Sequence, residues 1–119
     1  MVFFLESEKL LKKYEIIKKN TDFNDIINTG AYLKNKYYYI YYKDNDYKFS
    51  KFGLAVSKKC GNAVERNKIK RQLRCIVDNY KDLFLNGVSY VLIPKRFIKD
   101  VSYQEMEENL VSLLKKEEN

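Results

Sequence analysis

Phe52-Gly53-Leu54-Ala55-Val56-Ser57-Lys58-Lys59-Cys60-Gly61-Asn62-Ala63-Val64-Glu65-Arg66-Asn67-Lys68-Ile69-Lys70-Arg71-Gln72-Leu73-Arg74 passes from a strand, through a basic turn, into a helix. Phe52, Leu54 and Val56 alternate with Gly53, Ala55 and Ser57, which gives a strand one large face and one shallow face. The shallow face permits close approach by a helix or a ligand. Gly61-Asn62 opens the helix, with Asn62 placed to cap it by accepting an otherwise unpaired first-turn amide. Ile69, Leu73, Ile76, Val77 and Tyr80 then fall at helical spacing and make one apolar stripe. Asn67, Lys68, Lys70, Arg71 and Arg74 fill the opposite arc, and Arg66 lies at the border.

Upstream, residues 6–19 are charged and only partly periodic, and read as an N-terminal arm with some helix. Thr21 is placed as an N-cap, with Asp22 in the first turn. Phe23, Ile26 and Ile27 make a short helix that Gly30 would end in a left-handed conformation. Residues 32–43, with Tyr37-Tyr38-Tyr39-Ile40-Tyr41-Tyr42 at their centre, read as one strand, because aromatics favour the pleated surface. Tyr37, Tyr39 and Tyr41 would share one face, and Tyr38, Ile40 and Tyr42 the other. Asp44-Asn45-Asp46 has hairpin-turn chemistry rather than a metal arrangement. Downstream, residues 88–94 form a buried, nearly continuous apolar strand. Ser102-Tyr103-Gln104-Glu105 then matches a capping box ahead of Met106, Leu110, Leu113 and Leu114. The order helix–strand–strand–helix–strand–helix predicts an α+β fold of α/β two-layer type, one sheet with helices packed on it. Its 119 residues allow a single domain over 1–119, with 1–16 as the arm.

Composition narrows the chemistry. Lys58 to Arg74 holds seven basic side chains against one acid, so it carries +6 of the chain's net +7. Three of four arginines lie there, and arginine's planar fork suits phosphate better than lysine's point charge. The chain has no histidine, which excludes imidazole-based nuclease and hydrolase mechanisms. Cys60 and Cys75 have no zinc spacing and read as free thiols of a cytoplasmic protein. No apolar run is long enough to span a bilayer, and the N-terminus lacks secretory-signal character.

The central helix carries its cations in its first half, where the helix dipole disfavours them by about 0.3–1 kcal/mol each at an exposed site. Only Glu65 is near enough in sequence to offset them. An anionic partner would relieve the repulsion, since amides, dipole and side chains would then all face phosphate oxygens. A membrane-surface role fits poorly, because the apolar stripe is needed for the core.

Ser57-Lys58-Lys59, Gly61-Asn62-Ala63-Val64, Arg66-Asn67-Lys68-Ile69-Lys70-Arg71 and Arg74 together resemble the signature of the bacterial ribonuclease P protein component. The resemblance extends more loosely from about Ile17 to Leu114. It implies a subunit of a ribonucleoprotein endonuclease that removes the 5′ leader from precursor transfer RNA. It further implies that an RNA subunit holds magnesium ions and performs the cleavage, with no stable protein partner and no membrane required. A left-handed strand–helix–strand crossover is also implied by the resemblance. Carried over by position, Lys58, Lys59, Asn62, Arg66, Asn67, Lys68, Lys70, Arg71 and Arg74 would bind the catalytic RNA. Phe23, Tyr41, Asn67 and Lys70 would meet the single-stranded leader. No residue of this chain is expected to be catalytic or to ligate a metal. Three positions depart from the family pattern. Lys68 replaces an arginine, Ile27 replaces a second helix-one aromatic, and Pro94-Lys95-Arg96-Phe97 differs from the usual segment.

Two other classes compete with this reading. An RNA-binding protein of the ribosome or its assembly would share the composition but not the Lys-Lys-x-Gly-Asn-Ala-Val-x-Arg-Asn order. A metal-dependent protein nuclease would need clustered carboxylates, and Asp22, Asp25 and Glu65 have no recognisable metal arrangement.

Overall fold

A computed structural model describes residues 16–17 and 19–117 of the chain. Seven elements follow in order: α1 (Asn20–Thr29), β1 (Ala31–Lys34), β2 (Tyr38–Asp44), β3 (Lys51–Leu54), α2 (Ala63–Asn79), β4 (Val88–Pro94) and α3 (Tyr103–Glu117). The strands form one sheet in the order β1-β2-β4-β3. β1–β2 and β2–β4 pair antiparallel, whereas β3–β4 pair parallel and are joined through α2. The fold is α+β, as the pattern predicts.

The tyrosine run contains two strands rather than one. Asn35 turns the chain sharply, its side-chain oxygen accepting from the Tyr37 and Tyr38 amides at 3.0 and 2.9 Å. Tyr32 is thereby folded back opposite Tyr41. Tyr37 leaves the face expected of it, packs against the main core and donates its hydroxyl to Glu105 at 3.1 Å. The Asp44-Asn45-Asp46 segment is not a hairpin turn, because β4 lies between β2 and β3.

The sheet's two faces build two cores. On one, α2 and α3 bury Ile69, Leu73, Ile76, Val77, Met106, Leu110, Leu113 and Leu114 against Tyr38, Ile40, Tyr90 and Leu92. Tyr38 is fully buried and donates to the Met106 carbonyl at 2.9 Å. That burial pushes its phenol well above the ordinary tyrosine range. The Ser102 hydroxyl accepts from the Glu105 amide at 3.2 Å, one half of the expected capping box, while the Glu105 carboxylate accepts from the Tyr37 hydroxyl. On the other face, α1 lays Ile26, Phe23 and Ile27 over Val91, Tyr41 and Ile93.

Two details of α1 differ from expectation. The helix begins at Asn20, with Lys19 at the cap and Thr21 inside the first turn. Gly30 adopts extended backbone, with φ −83° and ψ 171°, not a left-handed stop. Space explains the glycine: a Cβ there would lie 2.5 Å from the carbonyl oxygens of both Ile26 and Tyr42. Most of the expected arm lies outside the described residues. Ile16 makes a parallel bridge to Phe52, and the Ile17 amide donates to the Phe52 carbonyl at 2.8 Å, extending the sheet edge.

Candidate nucleic-acid interface

The basic helix starts from a fully satisfied cap. Asn62 accepts from the Glu65 amide at 2.9 Å, and the Glu65 carboxylate accepts from the Asn62 amide at 2.9 Å. Such a cap stabilises a helix by typically about 1 kcal/mol. It also commits the segment's only acid to the helix N-terminus, with Lys99 at 3.8 Å as its charge partner. Just upstream, Lys58–Cys60 form a single 3-10 turn held by the Ser57 side chain, which accepts from the Lys59 amide at 3.3 Å. Cys60 is buried, its thiol 3.8 Å from the carbonyls of Pro94 and Lys95. It pins the turn to the end of β4 and leaves Lys58 and Lys59 exposed.

Along α2, Asn67, Lys68, Arg71 and Arg74 are exposed, while Arg66 and Lys70 are half-buried. Among the described residues, no ion pair engages Arg66, Lys68, Lys70, Arg71 or Arg74. Arg66 has its Nε buried with no hydrogen-bond partner among the described residues, so its stem is packed against the protein. Among the described residues no ion pair neutralises the positive charge of this helix, and Lys68, Arg71 and Arg74 turn theirs outward.

Arg66, Lys70, Arg74 and Asp78 recur every four residues, which sets them along one flank of the helix. At the end of that flank, Arg74 and Asp78 wall a cavity of about 340 Å³. Phe52, Gly53 and Leu54 form its floor, and Phe23 with Ile16 and Ile17 closes the far side. Asn67 and Lys70 are not among its lining residues; Lys70 stands one turn before Arg74 on the same flank. Gly53 lies directly beneath the Phe23 ring, and a Cβ would meet Cζ and Cε1 at 2.6 and 2.7 Å. The shallow strand face thus admits an aromatic ring beside a cation. Tyr41 shares Phe23's apolar cluster, two strands across in the register row Tyr41–Val91–Gly53.

The opposite side of α1 has a different character. A second cavity, of about 450 Å³, is lined by Asp22, Asp25, Asp44 and Asp46 together with Lys43 and Lys51. Lys43 donates to Asp25 at 2.7 Å and to Thr29 at 2.8 Å. The lysine's hydrogen bond holds the Asp25 carboxyl below its ordinary pKa. Four carboxylates against two lysines repel phosphate, so a polyanion is directed to the α2 side. Among the described residues, no three metal-ligating side chains converge on one point. Nor is any described helix long and apolar enough to cross a membrane.

Sequence reasoning missed Tyr32 and Lys95 on the sheet face beside Tyr41. Lys95 places its ammonium 4.7 Å from the Tyr39 ring centroid. The Asn35 turn was the signal that would have brought Tyr32 onto that face.

Comparison with known proteins agrees with this geometry. The Ribonuclease P family model matches residues 11–118. The chain is 38% identical over 106 residues to the ribonuclease P protein component of Mycoplasma mycoides, covering 88% of this chain and 97% of that protein. It is 38% identical over 105 residues to the Streptococcus pneumoniae protein of the same name, covering 88% and 85%. Among solved structures, the Staphylococcus aureus RNase P protein superposes with a TM-score of 0.79 at 33% identity, covering 85% of this chain and 93% of that one. The Thermotoga maritima RNase P protein gives 0.78 at 31% identity, covering 86% and 96%. With its basic flank, its capped helix and its sheet topology, the chain belongs to the ribonuclease P protein family, the protein components of the ribonucleoprotein that matures the 5′ end of transfer RNA.

Proposed function

We propose that this chain docks onto the ribonuclease P RNA through α2 and the Lys58–Cys60 turn and receives the leader of precursor transfer RNA at the Phe23 cavity. The observation that carries this reading is the unneutralised stripe Arg66–Lys70–Arg74 leading to an aromatic ring over a bare glycine. Cations track a single strand's backbone, while a ring stacks on any base and so tolerates any leader sequence. Lys58, Lys59, Asn62, Arg66, Asn67, Lys68, Lys70, Arg71 and Arg74 contact the catalytic RNA around this helix, and the cavity end of the Arg66–Lys70–Arg74 stripe is shared with the leader. Tyr41, with Lys70 and Asn67 nearby on α2, extends the leader's surface.

Bond cleavage belongs to the RNA subunit. This chain has no histidine, and among the described residues no carboxylates converge as metal ligands. Magnesium, the cofactor of the reaction, is held mainly by the RNA, where it supplies an activated water. The chain's own residues bind and orient the two RNAs. The site of action is the cytoplasm, and no stable protein partner is required.

The Phe23→Leu variant tests the leader assignment. Within the holoenzyme it should weaken binding of precursor transfer RNA about fivefold or more, the loss of one base–aromatic stack. Binding of mature transfer RNA should be unchanged. Equal losses for both would assign Phe23 to the core alone.

A further inference from the structure

We propose that Tyr32, Tyr39 and Lys95 form a second nucleobase-stacking station, which takes leader nucleotides lying farther upstream than those at Phe23. This rests on the leader reading above and names residues beyond it.

The β1–β2 hairpin creates the station. Tyr32 pairs across from Tyr41, and Tyr39 follows two residues earlier on the same face of β2. The three rings form a contiguous surface, with Tyr32–Tyr41 centroids 5.5 Å apart, Tyr39–Tyr41 6.2 Å and Tyr32–Tyr39 6.5 Å. Tyr32 remains 53% exposed, on the sheet's edge strand. A tyrosine serving only to fill the hairpin would gain more by burial, since the stabilisation of an aromatic scales with the area it removes from water. Cations border the rings. Lys95 sits over Tyr39, and Lys34 is the cross-strand partner of Tyr39. The exposed Tyr32 ring beside the half-buried Tyr39 and Tyr41, bordered by lysines, is a surface of the kind a single-stranded nucleic acid binds without reading its sequence.

The register fixes the station's place relative to the cavity. Gly53, Val91, Tyr41 and Tyr32 are successive partners across the sheet, so Tyr32 lies three interstrand spacings, roughly 14 Å, from the strand beneath Phe23. A leader engaged at Phe23 must be several nucleotides long to reach it.

The test uses the holoenzyme reconstituted with its RNA subunit. Two precursor transfer RNAs are compared, with leaders of one and roughly ten nucleotides; at about 3.4 Å per stacked nucleotide, and about twice that when extended, the first falls short of that distance and the second spans it. The unmodified holoenzyme should bind the long-leader substrate more tightly. Tyr32→Ser and Lys95→Gln should each erase about fivefold of that advantage and leave short-leader binding unchanged. Tyr32→Phe, which keeps the ring, should behave as the parent. A 4-thiouridine placed near the 5′ end of the long leader should crosslink the parent protein in the β1–β2 hairpin, a readout independent of how the variants fold. Equal loss on both substrates, no length advantage in the parent, or crosslinks confined to α1 would each overturn the station. If Phe23→Leu still separates precursor from mature transfer RNA in those cases, the leader reading stands without it. If neither Phe23→Leu nor Tyr32→Ser separates them, the leader reading itself fails.

Discussion

Raising monovalent salt from about 50 to 200 mM should weaken binding of this chain to the ribonuclease P RNA by roughly a few hundred- to a few thousand-fold. The figure follows from counterion release. If five to seven cations meet phosphate, log K falls with log salt at a slope of roughly −4 to −6. The cations expected to contribute are Lys58, Lys59, Arg66, Lys68, Lys70, Arg71 and Arg74. None of the five on α2 has an ion-pair partner among the described residues. Each should therefore release counterions when RNA arrives, and Arg71→Ala or Arg74→Ala should make the slope shallower by about 0.9. Lys43→Ala is the matched control, because Lys43 is already bound to Asp25 at 2.7 Å on the acidic side of α1. Its slope should equal the parent's. A filter-binding or fluorescence titration across salt concentrations measures all four. An unchanged slope in both arginine variants would remove α2 from the interface.

Gly53→Val should damage the protein twice over. Even the first carbon of the new side chain would fall 2.6 Å from the Phe23 ring, with Ile17 Cβ at 3.4 Å beyond it. Overpacking of this kind costs typically about 1–3 kcal/mol, which a thermal melt would show as a lowered midpoint. The ring must also move off the strand, so preference for precursor over mature transfer RNA should fall as it does for Phe23→Leu. Affinity for the RNA subunit itself should stay close to the parent's, since the valine touches no part of the α2 surface that faces outward. A valine variant with full stability and full leader preference would show that Phe23 is not held by the shallow strand face.

Most of this architecture is legible from residue order. Phe52 to Leu92 read correctly because each element there repeats its own period without interruption: alternation in β3, three- and four-residue spacing in α2, a continuous apolar run in β4. Asn62 announced the start of α2 because a cap is a local interaction, while Glu65's reciprocal half of the capping box went unread. The tyrosine run misled because aromatic density signals strand whether or not the chain doubles back. Only the Asn35 side chain marks the break between β1 and β2. The insertion of β4 between β2 and β3 is long-range pairing, and no turn residue encodes it. For the same reason the site was half visible. The cations of α2 lie together in sequence, but Phe23 and Gly53 are thirty residues apart and meet only through the sheet. Gly30 was misjudged because a glycine needed for space and a glycine needed for a left-handed turn look identical in one dimension.

The most direct measurement is cleavage of precursor transfer RNA at low magnesium by three preparations: this chain alone, the ribonuclease P RNA alone, and the two combined. Leader release is expected only from the combination, with neither component active by itself under those conditions. Cleavage by the chain alone, or no gain when it is added to the RNA, would contradict its role as a docking and leader-binding subunit.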